Sequence, residues 1–246
     1  MGSSTSSLRK QAETIHDRMV MILAEVRQYF ERYLDGFLNK GSLPVDIFRL
    51  LDKFFSLLDE LNKLYLARLK REHGIEPFCK PGCSWCCFQM PGGMSFVEYL
   101  YLYEGIWRQR PGNLYLARLL DRSSHFATGG ANHGLDCQNK ILGEYFAKKC
   151  PCPFLNNDAG ICELYRYRPI VCRSHYSFSP PRFCRPDQQE TWRRQIVNIE
   201  QSVMVSQMLL SLDKLLPFRL SQFLVPGLLE FMVNVMGCRP IEWLEG

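Results

Sequence analysis

Apolar residues recur at intervals of three and four between residues 8 and 38, at Met19, Ile22, Leu23, Val26, Tyr29, Phe30, Tyr33, Leu34 and Phe37. This spacing predicts a long amphipathic helix. Gly41-Ser42 interrupts the pattern, and Pro44 suits the first turn of a second helix, where a missing amide proton forfeits no helical bond. The second helix is predicted to reach about Glu72, with Ile47, Leu50, Leu51, Phe54, Phe55, Leu58, Leu61 and Tyr65 on one face, before His73-Gly74 closes it. Two long helices with a short connection form an antiparallel hairpin.

Further on, Ser95-x-x-Glu98 reads as a capping box opening a helix through about Arg108, which Pro111-Gly112 stops. Helices are predicted from roughly Leu114 to Phe126 and from about Asn139 to Lys149, with Gly129, Gly130 and Gly134 marking a loop between them. After Pro186 the pattern predicts a long helix from Asp187 to about Leu216 and a final apolar one around Leu220 to Met236. Strand signals are nearly absent. The fold class is therefore all-α: an N-terminal helical hairpin and C-terminal helices around irregular, cysteine-rich, metal-binding loops. Residues 1–7 are expected as a disordered leader, 8–73 as the hairpin, 74–186 as the cysteine-cluster region and 187–246 as C-terminal helices packing on the rest.

Composition alters this picture mainly through cysteine. A chain of 246 residues, 46% hydrophobic and 22% charged, can bury a core without covalent staples, yet it carries 11 cysteines. No apolar stretch of a secretory signal follows the serine-rich start, so a reducing, cytoplasmic setting is expected. There, clustered cysteines bind metal or do redox work. Met-Gly-Ser-Ser-Thr-Ser formally fits a myristoylation signal, a loose match that a polar leader explains equally well. The net charge of +5 is spread along the chain, so nucleic acid is not an expected partner. No transmembrane segment is expected either: the most apolar stretch, Val203 to Met236, is interrupted by Asp213, Lys214, Pro217, Arg219, Pro226 and Glu230. Docking on an unidentified protein is the favoured role for its apolar faces, with peripheral membrane contact a minor alternative.

The cysteines fall in two groups. The first reads Cys79-Lys-Pro-Gly-Cys83-Ser-Trp-Cys86-Cys87, the second Cys150-Pro-Cys152-Pro-Phe-Leu, Cys162-Glu-Leu-Tyr, Arg168-Pro169-Ile-Val-Cys172-Arg173 and Cys184. Two or three residues between thiolates let a tight loop wrap one metal, with Pro and Gly permitting the turn. Adjacent Cys86 and Cys87 point to opposite sides of an extended backbone and are poorly placed to serve one tetrahedral ion. Cys79, Cys83, Cys86, Cys87, Cys152, Cys162, Cys172 and Cys184 are the expected metal ligands, enough for two four-coordinate sites or for one with spares. Cys137 and Cys238 read as small core hydrophobes, and Cys150 is evenly balanced. All-thiolate ligation suits zinc and iron–sulfur clusters alike. Zinc favours paired C-x-x-C knuckles, whereas C-x3-C-x2-C-C followed by single cysteines favours iron–sulfur, most simply 4Fe–4S, with zinc as the alternative.

At these residues the chain resembles the YkgJ-type cysteine-cluster family, also described as the CxxCxxCC zinc- or iron-chelating domain. The resemblance spans about Cys79 to Cys184. Cys79 to Cys87 looks like the opening motif, Cys152-Pro-Phe-Leu with Cys162-Glu-Leu-Tyr the middle, and Arg168-Pro169-Ile-Val-Cys172-Arg173 the closing R-P-x-x-C-R. Ser84-Trp85 replaces the glycine common before the paired cysteines. Some family members are linked with flagellin lysine N-methylation, so the resemblance implies a lysine N-methylase-like methyltransferase as one alternative. No additional motif for a methyl donor accompanies it.

His175, three residues after Cys172, reads as a structural histidine before a ligand, and neither His73 nor His133 lies in a zinc-hydrolase pattern. Arg166, Arg168, Arg173, Arg182 and Arg185 make the second group basic, which would offset the charge of thiolate-ligated centres. Tyr165, Tyr167 and Tyr176 among them are expected to shield the site from water. The favoured function is a metal-binding protein with one or two iron–sulfur clusters in an electron-transfer or accessory role. A structural zinc-binding interaction protein comes second and the methyltransferase third; no catalytic residue is assigned.

Overall fold

A computed structural model describes residues 2–109, 112–126, 135–186, 196–198 and 200–245. Helix α1 (Gly2–Lys40) lies against α2 (Val45–His73), as the apolar spacing predicts. Met19, Val26, Phe30 and Phe37 of α1 and Leu51, Phe54, Phe55 and Leu58 of α2 are all buried. Residues 2–7, expected as an irregular leader, continue α1 instead. Pro44 stands just before α2, and Gly74 closes it in the left-handed conformation, its amide returning to Lys70 O at 3.0 Å.

Helix α3 (Phe96–Gln109) is buried on every side from Phe96 to Ile106, which makes it the axis of the molecule. Its start is the predicted capping box: Ser95 N donates to Glu98 Oε2 at 2.9 Å, and Glu98 N to Ser95 Oγ at 3.4 Å. Successive odd-numbered tyrosines then point to different sides. Tyr99 donates to Ser221 O, Tyr101 to Asp52 Oδ1 and Tyr103 to Arg239 O, at 2.7, 2.8 and 2.7 Å. Three remote segments are thus tied to one helix through satisfied buried hydroxyls. Gly105 lets Tyr167 lie on the helix backbone, where an added Cβ would come within 2.3 Å of its ring.

The remaining helices are α4 (Gly112–Ser124), α5 (Leu135–Ala147), α6 (Ile170–Ser174), α7 (Glu200–Leu212) and α8 (Leu224–Glu230), the last running into a π-turn at Phe231–Val235. The fold is all-α, and no helix among the described residues is long and apolar enough to cross a membrane.

Three small ladders occur among the described residues, in keeping with the sparse strand signals of the sequence. β1 (Ser42–Pro44) pairs in parallel with β6 (Glu242–Leu244), β2 (Leu155–Asn156) with β3 (Ile161–Cys162) and β4 (His175–Ser177) with β5 (Ile196–Asn198), the last two antiparallel. At two or three residues each, these strands are too short for a period of two to register in sequence. β5 also breaks the helix predicted from Asp187 to Leu216, of which residues 187–195 and 199 lie outside the described residues. His133 and the loop at Gly129, Gly130 and Gly134 lie outside them too.

Asp213 follows α7 and accepts the amide of Phe96 at 3.0 Å, docking α7 on the start of α3. Burial pushes its carboxyl up to about 6 from 3.8, against the pull of that amide and with help from the charge of Glu98. A carboxyl whose folded value is raised takes up a proton on folding, so its stabilising effect is complete below about pH 4 and lost as pH rises through about 6. Asp213→Asn keeps the acceptor and removes the charge. Chemical denaturation at pH 7.5 is expected to show a gain of about 1–2 kcal/mol, discounted for partial exposure, that shrinks towards zero near pH 4.

Candidate metal centre

All eight cysteines singled out by spacing line one cavity of about 620 Å³. The Cys79–Cys87 segment is irregular apart from a 3₁₀ turn at Trp85–Phe88. Turns close it locally, with Cys83 N donating to Lys80 O and Cys87 N to Ser84 O, both at 2.9 Å. Gly82, at φ 87°, supplies the positive-φ corner of this loop. Cys162 lies on β3, Cys172 on α6, and Cys184 ends a 3₁₀ turn starting at Pro181.

Backbone contacts join the two groups. Cys152 N donates to Cys87 O at 2.6 Å and Phe78 N to Ser177 O at 2.8 Å. Gly160, at φ 65°, approaches Gly82 so closely that a Cβ would stand 3.0 Å from the Gly82 carbonyl oxygen. Ser177 links the outer thiols: its amide donates to Cys79 Sγ at 3.2 Å, and Cys184 Sγ donates to its hydroxyl at 3.3 Å.

The fields between the thiols run across both groups. Cys79 is influenced by Cys83, Cys86 and Cys184, and Cys83 by Cys86 and Cys184. Cys172 is influenced by Cys152, Cys86 and Cys162, and Cys87 by Cys152, Cys86 and Cys172. Cys86 acts on members of both groups and lies at the centre of the eight.

Burial pushes up the thiols of Cys79, Cys83, Cys162 and Cys172, and Cys152 to about 12. Amides two residues on oppose it: Trp85, Phe154 and Leu164 donate N–H to Cys83, Cys152 and Cys162. Cys86, solvent-exposed at the opening, is lowered to about 7, chiefly because the Cys87 thiol donates to it despite burial of its sulfur, with further help from Arg168. Cys87 rises because it keeps that proton and is itself buried.

Among the described residues, no three His, Cys, Asp or Glu side chains close on one point to grip a single metal ion. No family model, curated protein or solved structure matches this chain. The site must be argued from its own atoms. His175 lies in the cavity wall, as do Tyr165 and Tyr176, whereas Tyr167 turns inward onto α3. Cys150 is buried with its sulfur 3.7 Å from Lys148 O, and Cys238 is exposed at φ 55°, contrary to the core role expected for it. Cys137 lies on α5, and its side chain falls outside the described residues.

Arg173, read from the sequence as one charge of the basic group, is an anchor in the fold. It is 3% exposed and holds the closing motif to the hairpin. Its Nη1 donates to Asp59 Oδ2 at 2.6 Å, its Nε to Arg168 O at 2.8 Å, and its Nη2 to Arg166 O. The cation also lies 4.9 Å from the Phe55 ring centre. Glu98 fixes the other end of α6, accepting the Ile170 amide at 2.9 Å. Cys172 is therefore held between two charged anchors on different helices.

Proposed function

We propose that this protein holds two 4Fe–4S centres, one on Cys79, Cys83, Cys86 and Cys184 and the other on Cys87, Cys152, Cys162 and Cys172, and that it carries electrons to or from a protein partner in the cytoplasm. The observation that carries this reading is the convergence of eight thiols on one cavity wall, with Ser177 bridging Cys79 and Cys184 and the Cys152 amide bonded to Cys87 O. The donor set is all sulfur, which suits a soft polynuclear centre. Amide N–H groups already directed at Cys83, Cys152 and Cys162 would stabilise thiolates there, a feature that also tunes cluster potential. A cluster brings sulfide and iron of its own, so its thiolates stand farther apart than four around one ion. A cavity of about 620 Å³ has the room for this.

When bound, such centres supply one-electron transfer. The chain's own part is to hold the thiolates, limit water and set the local charge. Exposed Phe78, Ile161 and Tyr165 border the cavity, with Lys80 and Arg168 beside them, and no Asp or Glu among the described residues lines it. On this reading the chain is a divergent YkgJ-type protein.

The test is anaerobic purification followed by absorption spectroscopy and metal and sulfide analysis of the same sample. Broad absorption near roughly 400 nm that dithionite bleaches, with about eight iron atoms per chain, is expected for two four-thiolate clusters. A colourless protein with stoichiometric zinc would replace this reading with a structural one.

A further inference from the structure

Arg168 opens the closing motif, and its guanidinium is divided between two environments. One face lies 3.7 Å from the centre of the Tyr165 ring, and Nη2 stands 3.7 Å from Asp59 Oδ1. Those contacts leave Nε, which is buried and has no hydrogen-bond partner, on a side chain only 19% exposed. An arginine N–H is a donor under all conditions, so this atom can be satisfied only by an acceptor. A buried charged donor without one is costly enough that a native fold rarely keeps it unless something else supplies the partner.

The direction of that demand is set by the surroundings. Arg168 lines the cysteine cavity, and its charge favours the ionised forms of Cys86, Cys162 and Cys172. Gln89 lines the same cavity, and its Nε2 is likewise buried without a partner. Among the described residues the wall carries Lys80 and Arg168, with Arg173 already bonded to Asp59 and two carbonyls, and no carboxylate. The cavity therefore suits a negatively charged occupant that can accept from Arg168 Nε and Gln89 Nε2.

We infer that Arg168 Nε and Gln89 Nε2 donate hydrogen bonds to sulfur atoms of the bound centre, and that they raise its reduction potential. This rests on the iron–sulfur reading and says which side chains tune the centre. An N–H directed at a sulfide or thiolate withdraws electron density and stabilises the reduced, more negative state. Tyr165 and Asp59 hold the guanidinium in place, so the donor is fixed before the centre arrives. Lysine cannot reproduce this, because its ammonium is a mobile point charge without the planar fork.

The experiment uses the full chain, purified anaerobically, as wild type, Arg168→Lys, Arg168→Gln and Gln89→Leu. Iron and acid-labile sulfide are measured for each, and the midpoint potential is followed by absorbance and electron paramagnetic resonance. All variants are expected to retain wild-type iron and sulfide. The midpoint should fall most in Arg168→Gln, which loses the charge and the guanidinium Nε–H, and less in Arg168→Lys, which keeps the charge. Gln89→Leu should also fall, although no charge changes. If Arg168→Gln fails to fold, the other two variants decide. Unchanged midpoints in variants with full iron content would overturn the inference while leaving the centre itself intact. A wild-type protein that binds zinc and no iron would overturn the iron–sulfur reading, and this inference with it.

Discussion

Iron content is expected to fall by about half in Cys172→Ser and by about half in Cys184→Ser, and close to zero in the double variant. The expectation follows from the proposed division of the eight thiols into two sets, in which Cys172 belongs with Cys87, Cys152 and Cys162, and Cys184 with Cys79, Cys83 and Cys86. A serine oxygen is a poor substitute for a thiolate on a soft centre, so each substitution empties its own set. Cys162→Ser should behave like Cys172→Ser, and Cys79→Ser like Cys184→Ser. Metal and sulfide analysis of the four single variants reads the outcome directly. Complete loss of iron from any one of them would argue for a single shared centre and against the division at Cys86-Cys87. Unfolding should shift as well, because metal binding contributes folding free energy wherever the site does not preform in the unfolded chain.

Arg173→Leu is expected to destabilise the protein by about 3–5 kcal/mol, as breaking a buried, hydrogen-bonded ion pair does elsewhere. The side chain is 3% exposed, and its loss would leave the carbonyls of Arg166 and Arg168 without their donor and Asp59 without its closest cation. Asp59 is partly exposed and can take on water, which places the expected value at the lower end of that range. For a chain of this length the melting temperature should drop by roughly 6–12 °C, at about 2–4 °C per kcal/mol. Arg173→Lys should recover little, since one ammonium cannot span three acceptors in different directions. Thermal unfolding followed by circular dichroism measures both. Near-wild-type melting of Arg173→Leu would mean that α6 is held to the hairpin by Glu98 and packing alone.

Much of this architecture is legible in the sequence because it depends on local periodicity. The spacing of Met19, Val26, Phe30 and Phe37 predicts α1, and Ser95-x-x-Glu98 marks the start of α3. The eight cysteines that line the cavity are the eight that spacing picks out of the sequence. What sequence could not give is what depends on contacts between distant residues. Nothing near Arg173 says that Asp59 lies opposite it, 114 residues away. The basic run does single out Arg166, Arg168 and Arg173, but as a diffuse counter-charge. In the structure Arg166 pairs with Asp52, Arg173 staples α6 to α2, and Arg168 stacks on Tyr165 at the cavity wall with its Nε buried and unpaired. The adjacency of Cys86 and Cys87 argues that they do not serve one tetrahedral ion, but nothing in the sequence says that the Cys152 amide meets Cys87 O.

The parallel pairing of β1 with β6 bears on the order of events during synthesis. β1 sits in the connection of the hairpin, and Ser42 is joined to Glu242 through its hydroxyl at 2.7 Å as well as through the ladder. β6 leaves the ribosome after every one of the eight thiols. While the chain grows, the bend between α1 and α2 therefore waits uncovered, and the cysteine loops are already outside. The seam between β1 and β6 therefore forms only after both cysteine-bearing segments have been made, so the hairpin must hold its bend through α1–α2 packing until β6 arrives.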